Sequence, residues 1–221
     1  MQQDFIMLSG GLDSSCMAFV LVKGQGLNLR GIYIDHGQRA ARHELQASHA
    51  IAAALGIPLK VIDATGLWPS FRDVAEPNHV HIMTSSDRIG GSPAFTIAAA
   101  YASLAGATKL YAGLVKEDID GRPWLLDMIR YYQEAVRCSK PSTTGFPPGK
   151  EDFSNFSIEA PVAHLSKAEL IQQAVALGAP LEKTWSCQYS NVQQCGACWI
   201  CNMRKAAFVA SGKADLTSYA S

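Results

Sequence analysis

The sequence has no excess of charge of either sign and no long apolar run. Lysine plus arginine number 19 and aspartate plus glutamate number 19, so the formal net charge is zero. This disfavours a protein whose main task is to hold duplex DNA or long RNA, because such proteins usually carry a basic excess. No stretch approaches the ~18 consecutive apolar residues of a membrane-spanning helix. The opening MQQDFIMLSGG lacks the basic-then-apolar pattern of a signal peptide, which predicts a cytoplasmic protein without membrane contact.

Internal repeats, coiled-coil heptads and low-complexity tracts are also absent. The alternation of short apolar runs with segments of helical periodicity predicts right-handed crossovers and an α/β fold with a doubly wound parallel sheet of five strands. The predicted strands span residues 5–9, 28–35, 58–63, 108–114 and 155–162. The predicted helices span residues 14–26, 42–56, 92–106, 122–137, 166–180 and 202–212, the fifth of them starting with Ser166 and Glu169 as a capping box. Residues 64–91 and 138–154 are predicted loops.

The residues LSGGLDSS, 8–15, lie where the first predicted strand gives way to the first predicted helix. A glycine-rich turn at such a corner directs backbone N–H groups and the positive end of the helix dipole into one small space, which favours a phosphate. Hydroxyl groups add donors, and Asp13 fits a helix cap or a ligand of magnesium or ribose. A tight turn with an ordinary cap is the alternative interpretation. The predicted phosphate loop consists of Leu8, Ser9, Gly10, Gly11, Leu12, Asp13, Ser14 and Ser15.

Four of the six cysteines lie close together, with the spacing C-x7-C-x2-C-x2-C. They are Cys187, Cys195, Cys198 and Cys201. Two-residue spacing lets neighbouring thiolates bind one ion, and four thiolates complete the tetrahedral shell of a structural Zn²⁺. An iron–sulfur cluster also accepts four cysteines, and reduced thiols without a metal are the third interpretation. Zinc is the prediction, and it divides the chain into an α/β domain, 1–180, and a zinc-binding segment with a helix, 181–221.

The string SGGLDS at residues 9–14 resembles SGGxDS, the pyrophosphate-binding loop of the ATP-pyrophosphatase (PP-loop) families. Together with the cysteine cluster, it makes the chain resemble the 7-cyano-7-deazaguanine synthase (QueC) family over nearly the whole length. Further similarity lies in GQR at 37–39, in residues 157–187, and in CGACWICNMRKAAF at 195–208. The resemblance implies an adenine nucleotide α-hydrolase-like (HUP) fold, the cofactors ATP, Mg²⁺ and Zn²⁺, and a homodimer.

The resemblance also implies an adenylation reaction on a small-molecule deazaguanine substrate. The carboxylate of a 7-deazaguanine attacks the α-phosphate of ATP, pyrophosphate leaves, and ammonia converts the acyl adenylate into an amide. A second adenylation then permits loss of AMP and formation of a nitrile. The residues implied as catalytic are Asp13, Lys167 and Arg122. Those implied as substrate-binding are Gln38, Arg39, Arg88, Asp118 and Arg122.

Three residues have structural alternatives. Lys167 fits a lysine beside the departing phosphates or a solvated lysine in a first helical turn. Arg122 fits a partner for the substrate carboxylate or a solvated arginine at a helix start. Cys16, within the first predicted helix, fits a thiolate near the phosphate loop or, as is commoner for a free cysteine, a buried packing residue.

Two loops depart from the family pattern. Residues 85–93 read SSDRIGGSP where the family has a P-G-R-N loop, and Arg122, Trp124, Leu125 and Leu126 replace a tyrosine, an aspartate, a cysteine and an arginine. The alternative function is therefore a remodelled QueC-like enzyme that attaches a deazaguanine to a protein or another macromolecule, as in anti-phage defence. A tRNA-modifying PP-loop enzyme is the second alternative. Trp124, Tyr131, Tyr132 and the loop CSKPSTTGFPPGKEDF at 138–153 are candidates to dock such a partner, although aromatic residues at helical spacing lie more often in the core.

Overall fold

The computed structural model describes residues 3–66, 92–139, 152–189 and 192–220. Its centre is a five-stranded sheet in the order β3-β2-β1-β4-β5, in which all neighbouring strands are parallel. The strands are β1 (Asp4–Met7), β2 (Leu29–Asp35), β3 (Leu59–Asp63), β4 (Lys109–Tyr111) and β5 (Ser157–Glu159).

Helices cover both faces of this sheet. They are α1 (Leu12–Phe19), α2 (Ala41–Leu55), α3 (Ser92–Leu104), α4 (Lys116–Gly121), α5 (Trp124–Cys138), α6 (Lys167–Ala176) and α7 (Trp199–Ser211). A π-helical turn, Val20–Gly24, continues α1, and a short 3₁₀ turn, Leu181–Lys183, follows α6. None of the helices in the described ranges is long and apolar enough to cross a membrane.

The alternation of side chains along β1 explains the two apolar layers. Phe5 points to one face and packs with residues of α3 and α5, whereas Ile6 and Leu8 belong to the layer formed by α1, α2, α6 and α7. Phe5, Ile6 and Leu8 are at most 1% exposed. A central parallel strand buried on both faces is what a doubly wound sheet requires, so that prediction is confirmed.

Several predicted boundaries are wrong in instructive ways. The helix near the carboxyl end begins at Trp199 and not at residue 202, because the Cys198 thiol accepts a hydrogen bond from the Cys201 N–H and acts as the N-cap. Helix α4 lies in a stretch for which no element is predicted, and β5 is shorter than its apolar run. The capping box at the start of α6 is present as predicted, with Ser166 and Glu169 bonded reciprocally.

The segment after residue 180 shares the core of the sheet domain. Leu181, Ala207 and Phe208 belong to the same apolar cluster as Cys16 and Met17 of α1. Cys16 is fully buried there, and burial raises the pKa of its thiol far above the ordinary value, as expected for a packing residue. The two predicted units, 1–180 and 181–221, therefore share one apolar core, and their separation by function stays a prediction.

Candidate nucleotide site and metal centre

The predicted phosphate loop lies at the carboxyl end of the central strand β1, which pairs with β2 on one side and β4 on the other. The connection from β1 to β2 runs through α1 on one face of the sheet. The chain enters β4 from α3, which lies on the opposite face. The carboxyl ends of β1 and β4 therefore flank a topological switch point, where doubly wound folds bind ligands.

Two glycines allow the backbone to close around this point. Gly10 has a φ of +75°, in the left-handed region, and a Cβ at this position would lie 2.2 Å from the carbonyl oxygen of Glu44. A Cβ at Gly113, just after β4, would lie 2.8 Å from the Cα of Ser14. The start of α1 is thus packed directly against the chain that leaves β4, and no larger side chain fits between them.

The serine hydroxyls of the loop bond to one another. The Ser9 and Ser14 hydroxyl oxygens are 2.9 Å apart, and the Gly11 N–H donates to the Ser9 hydroxyl at 3.3 Å. Ser15 is fully buried, and its hydroxyl has no hydrogen-bond partner among the described residues. Leu8 and Leu12 face the core, so any contact they make with a ligand comes from their backbone.

Asp13 and Lys167 form an ion pair beside this loop. Asp13 lies in the first turn of α1 and Lys167 begins α6, whose cap is the Ser166–Glu169 box. The Lys167 N–H also donates to both carboxylate oxygens of Glu117 at 3.0 and 3.1 Å. The structure therefore brings together the first turns of α1, α4 and α6. Lys167 is paired and 13% exposed, so it is not a solvated lysine.

The charge balance around Lys167 is negative. Burial alone would lower the pKa of its ammonium group, but the carboxylates of Asp13, Asp118 and Glu117 reverse this and leave the pKa above its ordinary value. Burial raises the pKa of Asp13; the Lys167 cation opposes the rise, and Asp118 and Glu117 add to it. Lys167 accordingly remains a cation throughout the physiological pH range.

Arg122 forms an ion pair with Asp118, one of the carboxylates near Lys167. Its guanidinium donates to Asp118 Oδ1 at 3.0 Å, while the other oxygen of Asp118 accepts the Val115 N–H at 3.2 Å. The side chains of Arg122 and Asp118 are 27% and 22% exposed. Arg122 is thus a partly buried, paired cation.

The predicted substrate residues Gln38 and Arg39 follow β2, at the same edge of the sheet. The Gln38 amide is buried and donates to Tyr33 OH at 2.8 Å and to Glu44 Oε2 at 2.7 Å, while Gln38 Oε1 accepts the His36 N–H at 3.0 Å. Burial raises the pKa of Glu44 to about 7; the hydrogen bond from Gln38 opposes this and Asp35 adds to it. The buried amide of Gln38 thus fixes the loop, which leaves exposed Arg39 as its outward-pointing side chain.

Arg39 reaches the cysteine segment, where it donates to the Tyr189 carbonyl oxygen at 3.4 Å. Arg88 lies outside the described residues. No pattern in the sequence points to Glu44 or Glu117, since each is a helical glutamate that ordinarily faces solvent.

The four predicted metal ligands converge. The sulfur atoms of Cys187, Cys195, Cys198 and Cys201 all lie within 4.8 Å of one another. Cys195 and Cys201 sulfurs are 3.9 Å apart, close to the ~3.8 Å edge of a tetrahedron with Zn–S bonds of about 2.3 Å.

Backbone amides of the segment point at the sulfur atoms. The Cys198 N–H donates to the Cys195 sulfur at 3.3 Å, and Gly196, with a φ of +73°, forms the tight turn between the two. N–H groups of Ala197 and Cys198 lower the pKa of the Cys195 thiol to about 6, whereas burial raises the pKa of Cys198 and Cys201. Bringing these thiols together as thiolates needs a cation, so the residues fit a metal ion with four sulfur ligands.

Solved structures share this fold. The chain matches the U34-tRNA thiolase NcsA from Methanococcus maripaludis, determined with its [4Fe-4S] cluster, with a TM-score of 0.55 and 15% identity over 94% of this chain and 66% of that chain. It matches the NMN synthetase from Francisella tularensis with a TM-score of 0.53 and 15% identity over 97% of this chain and 79% of that chain. At such identities the likeness concerns the fold alone, and the shared fold is that of an α/β protein with a parallel sheet.

Comparison of the sequence, unlike that of the fold, identifies a single family. The model of the family described as "Queuosine biosynthesis protein QueC" matches residues 3–84 and 93–212, so the chain belongs to the QueC family. The 7-cyano-7-deazaguanine synthase of Nitratiruptor sp. is 31% identical over 98% of both chains. That of Aliarcobacter butzleri is 32% identical over 96% of this chain and 93% of the relative. These relatives support an enzyme of the PP-loop class.

Proposed function

We propose that this protein is an ATP-dependent ligase that activates the carboxylate of a 7-deazaguanine as an acyl adenylate. The single observation that carries the proposal is the glycine-serine loop at the carboxyl end of β1, with Lys167 beside it, in a chain of the QueC family. Backbone N–H groups at the start of α1 offer donors for phosphate oxygens. The relatives named 7-cyano-7-deazaguanine synthase supply the class of acceptor.

In the proposed first step, a carboxylate oxygen of the substrate attacks the α-phosphorus of ATP. The bond between the α-phosphorus and the bridging oxygen breaks, and pyrophosphate leaves with the electron pair. Lys167 stays protonated and neutralises charge that develops on the departing phosphates. For Lys167 to do so, the polyphosphate replaces Asp13 as its partner, which the partial exposure of both side chains permits.

Ammonia then attacks the acyl carbon and AMP leaves, which gives the amide. The amide oxygen attacks the α-phosphorus of a second ATP, pyrophosphate leaves again, and loss of AMP with the amide protons gives the nitrile. The protein contributes orientation and charge, since AMP is a good leaving group and no side-chain nucleophile is needed. Arg39 and Arg122 are our proposed contacts for the base and its carboxylate, and buried Gln38 would contribute by holding the loop that carries Arg39.

The surplus of carboxylates over cations among Asp13, Glu117, Asp118, Lys167 and Arg122 supports a role for Mg²⁺. Asp13 would hold this ion, with phosphate oxygens as further ligands, and the ion would supply neutralisation of phosphate charge. The four cysteines would hold Zn²⁺ as a structural ion, because all four positions of its shell are filled by sulfur.

The decisive experiment is to incubate the protein with ATP, Mg²⁺, ammonium and 7-carboxy-7-deazaguanine, and to follow AMP and the base by mass spectrometry. We expect AMP and the nitrile to appear together. Absence of AMP in the presence of all four reactants would refute the adenylation.

A second candidate, transfer of the deazaguanine to a macromolecule, is favoured by one observation. Trp124, Leu126 and Tyr131 on α5 are 42%, 45% and 65% exposed, at or near the positions that depart from the family pattern. The expectation that such aromatic residues lie in the core is therefore wrong for Trp124 and Tyr131. In the same assay this candidate predicts that AMP is formed but that the free base stays at the acid or amide and yields no nitrile. A co-purified protein should gain the mass of the base.

A further inference from the structure

The phosphate loop and the cysteine cluster meet at Trp185. The backbone N–H of Trp185 donates a hydrogen bond to the carbonyl oxygen of Gly10 at 2.9 Å. Gly10 is the loop residue with positive φ, and this bond fixes the orientation of the Gly10–Gly11 peptide within the loop. Cys187, the first of the four cysteines, stands only two residues after Trp185. The tripeptide 185–187 therefore connects the candidate nucleotide site to the candidate metal centre.

The side chain of Trp185 is held at both ends. Its indole N–H donates to the carbonyl oxygen of Cys187. Its ring stacks on the imidazole of His43 in α2, with a centroid distance of 4.1 Å and an interplanar angle of 11°. The same helix carries Glu44, whose carbonyl oxygen closes over Gly10. Trp185 is thus wedged between α2 and the cysteine cluster.

Residues 184–187 form neither helix nor strand, so no ladder of backbone bonds keeps them in place. Two buried side chains from the cysteine segment do so instead. Gln194, directly before Cys195, is 3% exposed; it donates to the Thr184 carbonyl oxygen at 3.0 Å and accepts the Ser186 N–H at 2.9 Å. It therefore clamps both neighbours of Trp185.

Arg204 of α7 adds a second clamp on the same two neighbours. Its guanidinium is 1% exposed and donates to the Thr184 hydroxyl at 2.7 Å and to the Ser186 hydroxyl at 3.1 Å. Because α7 begins at the Cys198 cap and contains Cys201, the position of Arg204 depends on the cysteine cluster. Both clamps on Trp185 are thus built on residues that the metal centre organises.

We propose that Gln194 and Trp185 are positioning residues through which the metal centre holds the phosphate loop in its nucleotide-binding conformation. This inference rests on the proposed binding of ATP and gives the cysteine cluster a purpose in that reaction. When the clamp is lost, the segment 184–187 shifts and Gly10 loses the donor to its carbonyl group. The loop then populates other conformations, and its ordering has to be driven by the nucleotide, which weakens binding.

The test uses Gln194→Met, which keeps the volume of the side chain but removes both hydrogen bonds. The matched control is Gln193→Met, at the adjacent residue, whose amide contacts Ser218 on the surface. Binding of Mg²⁺ with α,β-methylene-ATP, which cannot release pyrophosphate, is measured by calorimetry on metal-loaded protein well below its melting temperature. Metal content is measured by mass spectrometry, and hydrogen exchange is followed in the peptide that contains the phosphate loop.

We expect Gln194→Met to retain its metal and to bind the nucleotide about tenfold more weakly than the wild type. Hydrogen exchange should be faster than in the wild type in the phosphate loop and unchanged in β2. Gln193→Met should bind like the wild type. Removing the metal from the wild type with a chelator should weaken nucleotide binding at least as much. A purely structural role for Gln194 would lower the melting temperature but leave the dissociation constant and the loop exchange unchanged, and this result would overturn the inference. If the metal-loaded wild type bound no nucleotide at all, the proposed function would fall instead.

Discussion

Lys167, the first residue of α6, forms an ion pair with Asp13 in the first turn of α1, 154 positions earlier in the chain. The two side chains lie beside the phosphate loop and are 13% and 25% exposed, so the pair is mostly buried but can still be reached from solvent. In the absence of a polyphosphate, Asp13 is the partner that keeps this lysine charged. On the proposed binding of ATP, the polyphosphate takes over that role.

Replacement of Lys167 by methionine tests this relationship. We expect ATP-dependent release of pyrophosphate to fall by about two orders of magnitude, the usual effect of losing a group that stabilises developing charge. A coupled pyrophosphate assay measures the loss. Because Lys167→Met leaves Asp13 without its partner, the substitution should also be tested together with Asp13→Asn, which restores folding stability and leaves activity low.

Lys116→Met is the matched control. Lys116 is also the first residue of a helix and also paired with a carboxylate, that of Asp120, but its side chain is 54% exposed. We expect wild-type activity from this variant. Equal activity of Lys167→Met and Lys116→Met would contradict the role assigned to Lys167.

Gly113→Ala probes the close contact between the end of β4 and the start of α1. The added methyl group would lie 2.8 Å from the Cα of Ser14, an approach that forces the loop to move. We expect a loss of about 1–3 kcal/mol in the free energy of unfolding, together with weaker nucleotide binding. Urea denaturation and calorimetry measure the two effects.

Gly121→Ala is the control for that substitution, because nothing lies within 4 Å of a Cβ at this position at the end of α4. We expect its stability to equal or slightly exceed that of the wild type. If Gly113→Ala behaved in the same way, the packing of the loop against β4 would be looser than the structure indicates.

The features that could be predicted from the sequence depend on residues that are close together in the chain. The loop at 9–14, the Ser166–Glu169 capping box and the four cysteines combine residue types at fixed spacing, and short-range geometry decides their structure. The contacts that escaped prediction join distant parts of the chain. Trp185 with Gly10 is one case and Glu117 with Lys167 is another. They follow from tertiary packing, which spacing along the sequence does not encode.

The cysteine cluster predicts that Cys198→Ser loses the metal. Cys198 supplies one of four sulfur atoms, so its replacement removes a ligand. Serine is a preferred N-cap residue and can still cap α7, so the expected effect comes from the loss of the metal. We expect less than one metal ion per chain and a lower melting temperature. Elemental analysis distinguishes zinc from iron, and an iron–sulfur cluster in anaerobically purified protein would show visible absorbance.

Cys138→Ser is the control, because Cys138 is exposed at the end of α5 and lies outside the cluster. It should retain the metal and the stability of the wild type. Full metal content and unchanged stability of Cys198→Ser would refute a four-cysteine site.

Glu44 predicts a dependence of stability on pH. Its pKa is raised to about 7 in the folded protein from an ordinary value near 4.5, so the folded state binds the proton more tightly than the unfolded state. Its contribution is therefore present at low pH and is lost as the pH rises through about 7. Relative to Glu44→Gln, which mimics the protonated form, the wild type should lose on the order of 1–2 kcal/mol between pH 5 and pH 8.

Denaturant titrations of both proteins at a series of pH values measure this difference. Glu182→Gln, at an exposed position in the 3₁₀ turn, is the control and should change in parallel with the wild type. A constant difference between wild type and Glu44→Gln across this range would mean that Glu44 is ionised throughout in the folded state.

The tail after α7 predicts how firmly the metal is held, and it lies beyond the residues that match the family. The Ala220 N–H donates to the carbonyl oxygen of Gln194 at 2.9 Å, and the ring of Tyr219 lies 4.4 Å from the ammonium group of Lys205. Lys205 in turn donates to the carbonyl oxygen of Gly196, in the turn between two cysteines, at 2.8 Å.

Deletion of residues 213–221 removes the Ala220 hydrogen bond and the Tyr219 ring. Lys205 then holds Gly196 without the support of that ring, and all four cysteines stay in place. We expect the metal to pass to a competing chelator about tenfold faster, since the turn around Gly196 then opens more often. Leu216→Ala, at a tail position that is 73% exposed, should release the metal at the wild-type rate. If the shortened chain kept its metal as long as the full chain, the four sulfur ligands alone would set the rate of release, and the contacts of the tail would serve only its own order.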